Sequence, residues 1–345
     1  MLYATTRGKH DVVTAYKTIH TDCYPDGGLF VPFRMPKLNI ERVEAMAVAS
    51  PAQIIADVIN GFFSCKLTSW DVEYALGQNA IKTGEIGRRL LVAELWHNTG
   101  GDVSWAVQRL SDRIRGTEKR MIPSNWMQIA VRIALLTAAY GSLLASGTVK
   151  PHRLLDIAVT TGDFAMPMAI WYARQMGLPI GNIICGCNAN GGVWDLLNRG
   201  EFATADVLVH TCTPEADIVV PRNLERLISA TLGVEETKRY LLSCAKGRNY
   251  ILSNESLEQL GNGLFAAVIS DSRVTSIIPG VYHTSGHILS PYAALAYGSL
   301  QDYRSMTGRT RTALLIEERS PMRDANLVGA LLQMKDTDLR RNIDS

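Results

Sequence analysis

The sequence predicts an α/β protein whose parallel sheet is built mostly in its second half, and three observations lead there. From Pro151 onward, short apolar runs alternate with turns and amphipathic helices, the rhythm of a parallel sheet with helical crossovers. The first ninety residues instead carry helices with apolar positions at three-to-four spacing. Of 345 residues, 47% are apolar and 20% charged, which suits a chain that buries a large core.

In chain order, "YPDGGLFVP" is a turn at Asp26-Gly27-Gly28 with an extended exit. "IERVEAMAVAS", "PAQIIADVINGFF" and "TSWDVEYALGQNA" each read as helices, and residues 1–90 are expected to form an N-terminal subdomain. "AELWHNTGGDVSWAVQRLSDRI", residues 93–114, reads as a short strand, a polar turn and an amphipathic helix. The apolar run 129–147 contains Arg132 and small polar residues, so it predicts a buried helix and not a membrane span. "LLDIAV", "TTGDF", "AMPMAIWYARQMG" and "NIICGC" follow as strand, turn, helix ended by Gly177, and strand. "RNLERLISATLG" predicts a helix closed by Gly233, and "SPYAALAYGSLQDY" one that starts at Ser290-Pro291. "TALLIEE" predicts a closing strand.

A formal charge of +2 gives no field that would favour nucleic acid or an anionic membrane. The N-terminal residues lack the apolar core of a secretory signal, and six scattered cysteines suit a reducing compartment, so a cytoplasmic protein is expected. Cys185 and Cys187 are expected on opposite faces of a strand, as core residues and not metal ligands.

Two stretches could carry chemistry. Thr161, Gly162, Asp163 and Phe164 lie where a strand end meets a helix N-terminus, a place that gathers free N–H groups and favours an anion. In "VYHTSGHILSP", read as a polar turn, His283, Thr284, Ser285 and His287 could orient a polar ligand. Gly286 and the following helix start disfavour a zinc pair from His283 and His287, and no metal is expected. Glu215 and Asp217 read as solvated or capping carboxylates. No dinucleotide or P-loop glycine motif occurs.

Taken together, these stretches resemble threonine synthase, one of the fold-type II enzymes that use pyridoxal phosphate (PLP). "YATTRG" and "DGGLFVP" are similar to the family's Y-x-S-T-R-G and D-G-G-L-[FY]-V-P. "AELWHNT" resembles L-E-L-F-H-G-P-T, and "SNWMQI" resembles I-N-W-x-R-I. "VTTGDFAMPMAIWYARQMGLPIGNIICGCNANG" follows the family's V-P-T-G-N-F-G block almost in step. "TCTPEADIVVPRNLERLI" and "YHTSGH" resemble T-x-S-P-S-M-D-I-x-x-x-S-N-x-E-R-L-L and P-H-T-A-V-G. The blocks occur in family order.

The departures from the family pattern are informative. The family follows H-G-P-T with A-F-K-D, whose lysine forms the internal Schiff base. Here His97-Asn98-Thr99 is followed by Gly100-Gly101-Asp102, and no lysine occurs between Lys82 and Lys119. The family also inserts a small α/β domain before I-N-W-x-R, where this chain has only residues 103–123. The cradle T-G-N-F-G becomes Thr161-Gly162-Asp163-Phe164-Ala165, and the arginine of I-N-W-x-R becomes Gln128.

The resemblance therefore implies a tryptophan-synthase-β-like, fold-type II large-domain scaffold over residues 91–345, with the small domain deleted and a helical N-terminal subdomain. Residues 103–114 should form one helix running directly to a helix near Asn125, with Trp105, Val107 and Leu110 covering the former cleft wall. It implies a threonine synthase-like protein that is non-catalytic, with no resident cofactor although the parent family uses PLP. Vestigial cofactor-binding positions would be Thr161, Gly162, Asp163, Phe164 and Thr284, and vestigial substrate-binding positions Asn125 and Asn188. What remains would be a scaffold for a small anionic metabolite, for a homodimer, or for pairing with a catalytic homologue. The alternative is an active PLP-dependent lyase that makes threonine from O-phosphohomoserine with a relocated lysine, such as Lys119 or Lys150, or a partner's.

Overall fold

The computed structural model describes residues 1–344 except 9–11, 79, 98–99, 117–120 and 205–206. The N-terminal strand β1 (Leu2–Thr5) lies between β2 (Val13–Thr14) and β3 (Phe30–Pro32) in a small antiparallel sheet. The helices α1 (Ala15–His20), α2 (Ile40–Ala45), α3 (Pro51–Phe63) and α4 (Ser69–Leu76) complete this region. Helix α3 starts where Ser50 caps Gln53 N–H and Pro51 takes the first helical position. At α4, Thr68 and Asp71 form a reciprocal capping box.

Strands β4 (Lys82–Gly87) and β5 (Leu90–Glu94) pair antiparallel, so the subdomain boundary expected at residue 90 falls inside a hairpin of the main sheet. Next come α5 (Val103–Arg115), α6 (Asn125–Ala145), β6 (Leu155–Thr160), α7 (Ala165–Met176), β7 (Ile180–Cys187), α8 (Gly192–Arg199) and β8 (Glu201–Phe202). The chain continues through α9 (Leu224–Lys246), β9 (Tyr250–Ile251), α10 (Asn254–Gly261), β10 (Leu264–Val268), α11 (Asp271–Ser285) and α12 (Pro291–Thr307). It closes with β11 (Ala313–Glu317), α13 (Ala325–Leu332) and α14 (Asp336–Asp344). The main sheet has the order β10-β7-β6-β11-β5-β4, parallel except for β4.

Two cores cover the two faces of this sheet. Leu91, Ala93, Ile157, Val159, Ile183 and Leu314 pack with α3, α6 and α7. Leu90, Ala158, Ile184, Ala313 and Leu315 pack with α11 and α12. Helix α6 is long and apolar enough to cross a membrane, but most of it is buried in the first core.

Among the described residues no strand lies between α5 and α6, as expected from the sequence. Val107 and Leu110 are buried, while Trp105 is half-buried against Gly100. The helix expected to end at Gly233 does break there, since Gly233 has φ 85° and ψ −177°; a second helical stretch that the sequence reading missed then follows. Cys185 and Cys187 share a face, contrary to expectation, because strand side chains alternate with period two. Burial pushes both thiols up, Cys187 to about 12.

Candidate functional site

The polar groups collect at the carboxyl ends of the parallel strands, where α/β sheets place their ligands. Strand alternation divides them. Glu317 lies on the face of Ala313 and Leu315, and the next residue, Glu318, on the other.

On the α6 side, Arg132 Nε donates to Glu318 Oε1 at 2.7 Å. Burial alone would lower the pKa of this guanidinium, but Glu318, Asp163 and Asp102 outweigh it and raise it. Burial raises that of Glu318 in turn. The sequence reading gave Arg132 no role beyond marking its helix as non-membrane, because the helix run gives no hint of a partner 186 residues away.

The Thr161 to Phe164 turn follows β6 as expected. Phe164 is buried and takes the left-handed conformation at φ 66°, which turns the chain into α7. Asp163 Oδ1 accepts from Ala165 N–H at 2.9 Å, and Asn223 Nδ2 approaches its Oδ2 at 3.2 Å. The hydroxyl of Thr161 donates to Gly186 O at 3.2 Å, as does its N–H at 3.0 Å. Among the described residues, the N–H groups of Gly162 and Asp163 have no acceptor.

Other expected site residues are differently placed. Thr284 is not in a polar turn: it sits in the last turn of α11, exposed, with its hydroxyl on Gly280 O and Val281 O. The helix runs to Ser285 and stops at left-handed Gly286, so the polar cluster taken for a loop is mostly helix. Asn125 is buried, and its Oδ1 accepts from Arg226. Asn188, also buried, donates to Thr211, Thr213 and Asp217 at 2.8–3.1 Å. Both amides are tied to neighbouring side chains, Asn125 through its oxygen and Asn188 through its nitrogen. Asp217 is thus tied into a half-buried hydrogen-bond network and is not a freely solvated carboxylate.

The motif blocks that carry the resemblance converge on one structural network. Tyr3 of β1 donates to Phe62 O at 2.7 Å and accepts from Trp126 Nε1 at 3.0 Å. Arg7 pairs with Glu225, and Arg226, fully buried over the Trp126 ring, donates to Asn125, Asn223 and Phe30 O. Burial lowers the Arg226 pKa to about 10. Asn223 then links this network to the Asp163 turn.

Asn98 and Thr99 lie outside the described residues. After them Asp102 caps α5 through Ser104 N–H at 2.7 Å, in the segment where the resemblance would place a lysine. His97 Nε2 lies 2.6 Å from Glu94 Oε2, and His287 Nε2 2.8 Å from Glu317 Oε1. The sequence reading overlooked both carboxylates, although "AELWH" and "LLIEE" each end an apolar strand with an acid, which is the available signal.

A mainly parallel sheet with polar groups at its carboxyl edge, joined to a small N-terminal antiparallel sheet, makes this an α/β protein. The structure superposes on PLP-bound threonine synthase from Brucella melitensis with a TM-score of 0.83 at 17% identity, covering 100% of each chain. Threonine synthase from yeast gives 0.82 at 14% identity over 99% of this chain and 93% of that one. In sequence, residues 2–78 match the family described as threonine synthase N terminus. Threonine synthase-like 1 of Homo sapiens is 27% identical over 175 residues, 50% of this chain and 24% of the relative. Threonine synthase of Pseudomonas aeruginosa is 29% identical over 197 residues, 55% of this chain and 40% of the relative. The chain thus spans about a quarter to two-fifths of the length of these curated relatives. It has the fold of threonine synthase and, over residues 2–78, matches the sequence of the threonine synthase N terminus.

Proposed function

We propose that this chain is a non-catalytic relative of threonine synthase that keeps the large-domain scaffold and has lost the PLP chemistry. The observation that carries this reading is the segment after His97, which runs through Gly100 and Gly101 to a helix-capping Asp102 and holds no lysine. A fold-type II enzyme of this family needs that amine to anchor PLP and to move protons on the substrate.

The residues at the old cradle do not fit the cofactor either. Asp163 sets a carboxylate on the helix N–H that an anion would use, and the hydroxyls of Thr161 and Thr284 are turned to backbone carbonyls. A relocated Lys150 is at the wrong end of the sheet. It precedes β6, and the six residues of that strand span roughly 20 Å to the carboxyl edge. Lys119 lies outside the described residues.

The role we assign is subunit pairing, with a homodimer partner or a catalytic homologue. Met121 and Ile122, at 44% and 88% exposure, lie in the α5–α6 connection where the resemblance puts a second domain. The test is an absorbance scan of the purified protein with PLP, before and after borohydride. We expect no reducible aldimine band and no phosphate release from O-phosphohomoserine. A band that borohydride fixes to one lysine would overturn the reading.

A further inference from the structure

The carboxyl ends of β5 and β11 carry a second centre, on the face of the sheet opposite Arg132. Glu94 and Glu317 are register partners on adjacent parallel strands, so their side chains project together. His287, between α11 and α12, meets both: Nε2 is 2.8 Å from Glu317 Oε1, and Nδ1 is 3.9 Å from Glu94 Oε1. The ligand atoms of the three residues all lie within 4.8 Å of one another. His97 holds the other oxygen of Glu94 at 2.6 Å, with its ring stacked on Trp96.

We propose that Glu94, His287 and Glu317 form a binding site for one first-row divalent transition-metal ion, with Zn²⁺ the best fit and His97 orienting Glu94. Ligands about 2.0–2.2 Å from a tetrahedral ion sit about 3.3–3.6 Å apart, and one atom from each of the three residues already lies within 4.8 Å of the others, so small side-chain shifts would close the site on an ion. The imidazole selects against Mg²⁺ and Ca²⁺, which take oxygen donors. His97 stands to Glu94 as the hydrogen-bonding partners of metal-bound groups commonly do.

An independent observation points to a missing ligand. Glu317 is 1% exposed, and its Oε2 is buried with no hydrogen-bond partner. The Trp96 indole acts on this carboxylate as a weak hydrogen-bond donor that lowers its pKa, but its geometry leaves both Oε2 and the indole N–H without a well-formed hydrogen bond. A cation bound at this oxygen would supply the missing partner. Beside the cluster a cavity of about 230 Å³, lined by Lys82, Glu94, Trp96 and His287, leaves space for a water in the fourth position. Lys82 is the register partner of Glu94 on β4, but it is exposed, and no ion pair joins it to the cluster among the described residues.

The test uses the full chain, stripped with a chelator and titrated calorimetrically with Zn²⁺ alone, then with Co²⁺ followed by its visible spectrum. We expect one equivalent bound at micromolar affinity or tighter, and a Co²⁺ spectrum of nitrogen and oxygen ligation. Glu317→Gln and His287→Ala should each weaken binding at least a hundredfold, and His97→Ala about tenfold with the stoichiometry kept. Should a variant fail to fold, a Zn²⁺-dependent rise in the melting temperature of the unaltered protein still reads the site. Absence of saturable binding, affinity unchanged in folded Glu317→Gln and His287→Ala, or a thiolate-to-cobalt band marking cysteine ligation would each overturn the proposal.

Discussion

The turn at Thr161 to Phe164 allows a quantitative test of the proposal that Asp163 blocks an anion site. Two N–H groups, those of Gly162 and Asp163, lack acceptors among the described residues, and the N-terminus of α7 favours an anion. Against them stands the Asp163 carboxylate, 2.9 Å from Ala165 N–H. An anion on the same N–H groups would lie on the order of 4 Å from that charge, which costs about 1 kcal/mol in water and about 4 kcal/mol at an effective dielectric of 20. Arg132 offsets part of this, since its field acts on Asp163 as well as Glu318. The net penalty is then about 1–2 kcal/mol, or roughly five- to thirtyfold in affinity.

Asp163→Asn removes the charge and keeps an oxygen to accept from Ala165 N–H, so the turn should survive. By calorimetry with inorganic phosphate, the unaltered protein should bind at millimolar affinity or weaker, and Asp163→Asn should tighten it roughly five- to thirtyfold. Micromolar binding in the unaltered protein, with no gain in the variant, would show that Asp163 does not act as a block.

Other consequences follow from backbone approach and capping. A methyl at Gly186 would fall on the Leu295 carbonyl of α12, so Gly186→Ala should cost at least about 3 kcal/mol in a urea melt, whereas Gly61→Ala, whose methyl would meet only Pro36 at 3.7 Å, should stabilise α3 by roughly 0.5–1 kcal/mol. Asp71 is held down to about 2 by hydrogen bonds from Thr68 and from Arg113. A depressed carboxylate stabilises the fold above its unfolded pKa and ceases to as the pH falls through its folded one. Stability should therefore decline between about pH 4 and pH 2, and Asp71→Asn should flatten that part of an acid titration followed by circular dichroism.

Much of the fold is legible because its signals are local. Pro51 after Ser50, Pro291 after Ser290 and Gly177 at the end of α7 mark helix ends by dihedral preference and capping alone. What escaped the sequence reading depends on distant pairing or on opposed local signals. Strand β10, "LFAAV", is short and has no alternation, because it lies against β7 with α8 and α12 packed on it. Helix α11 holds Pro279 and Gly280, two residues that argue against a helix, and its last turn is polar, so Thr284 read as a loop residue.

The same distinction separates the two polar centres. The Asp163 turn was found because strand, turn and helix are contiguous, and a helix N-terminus advertises itself in sequence. The Glu94, His287 and Glu317 cluster exists only because β11, the last strand of the chain, inserts between β6 and β5. That insertion sets Glu317 beside Glu94 and, one residue on, sets Glu318 across the sheet to meet Arg132. A register slip of one residue would bring Glu318 to the His287 face and Arg319 to the place of Glu318 beside Arg132, or, in the other direction, set Ile316 against His287. Because "ALLI" is apolar on both faces it would stay buried in either register, so the polar residues after it decide the register, Glu317 and Glu318 each finding a partner only on its own face.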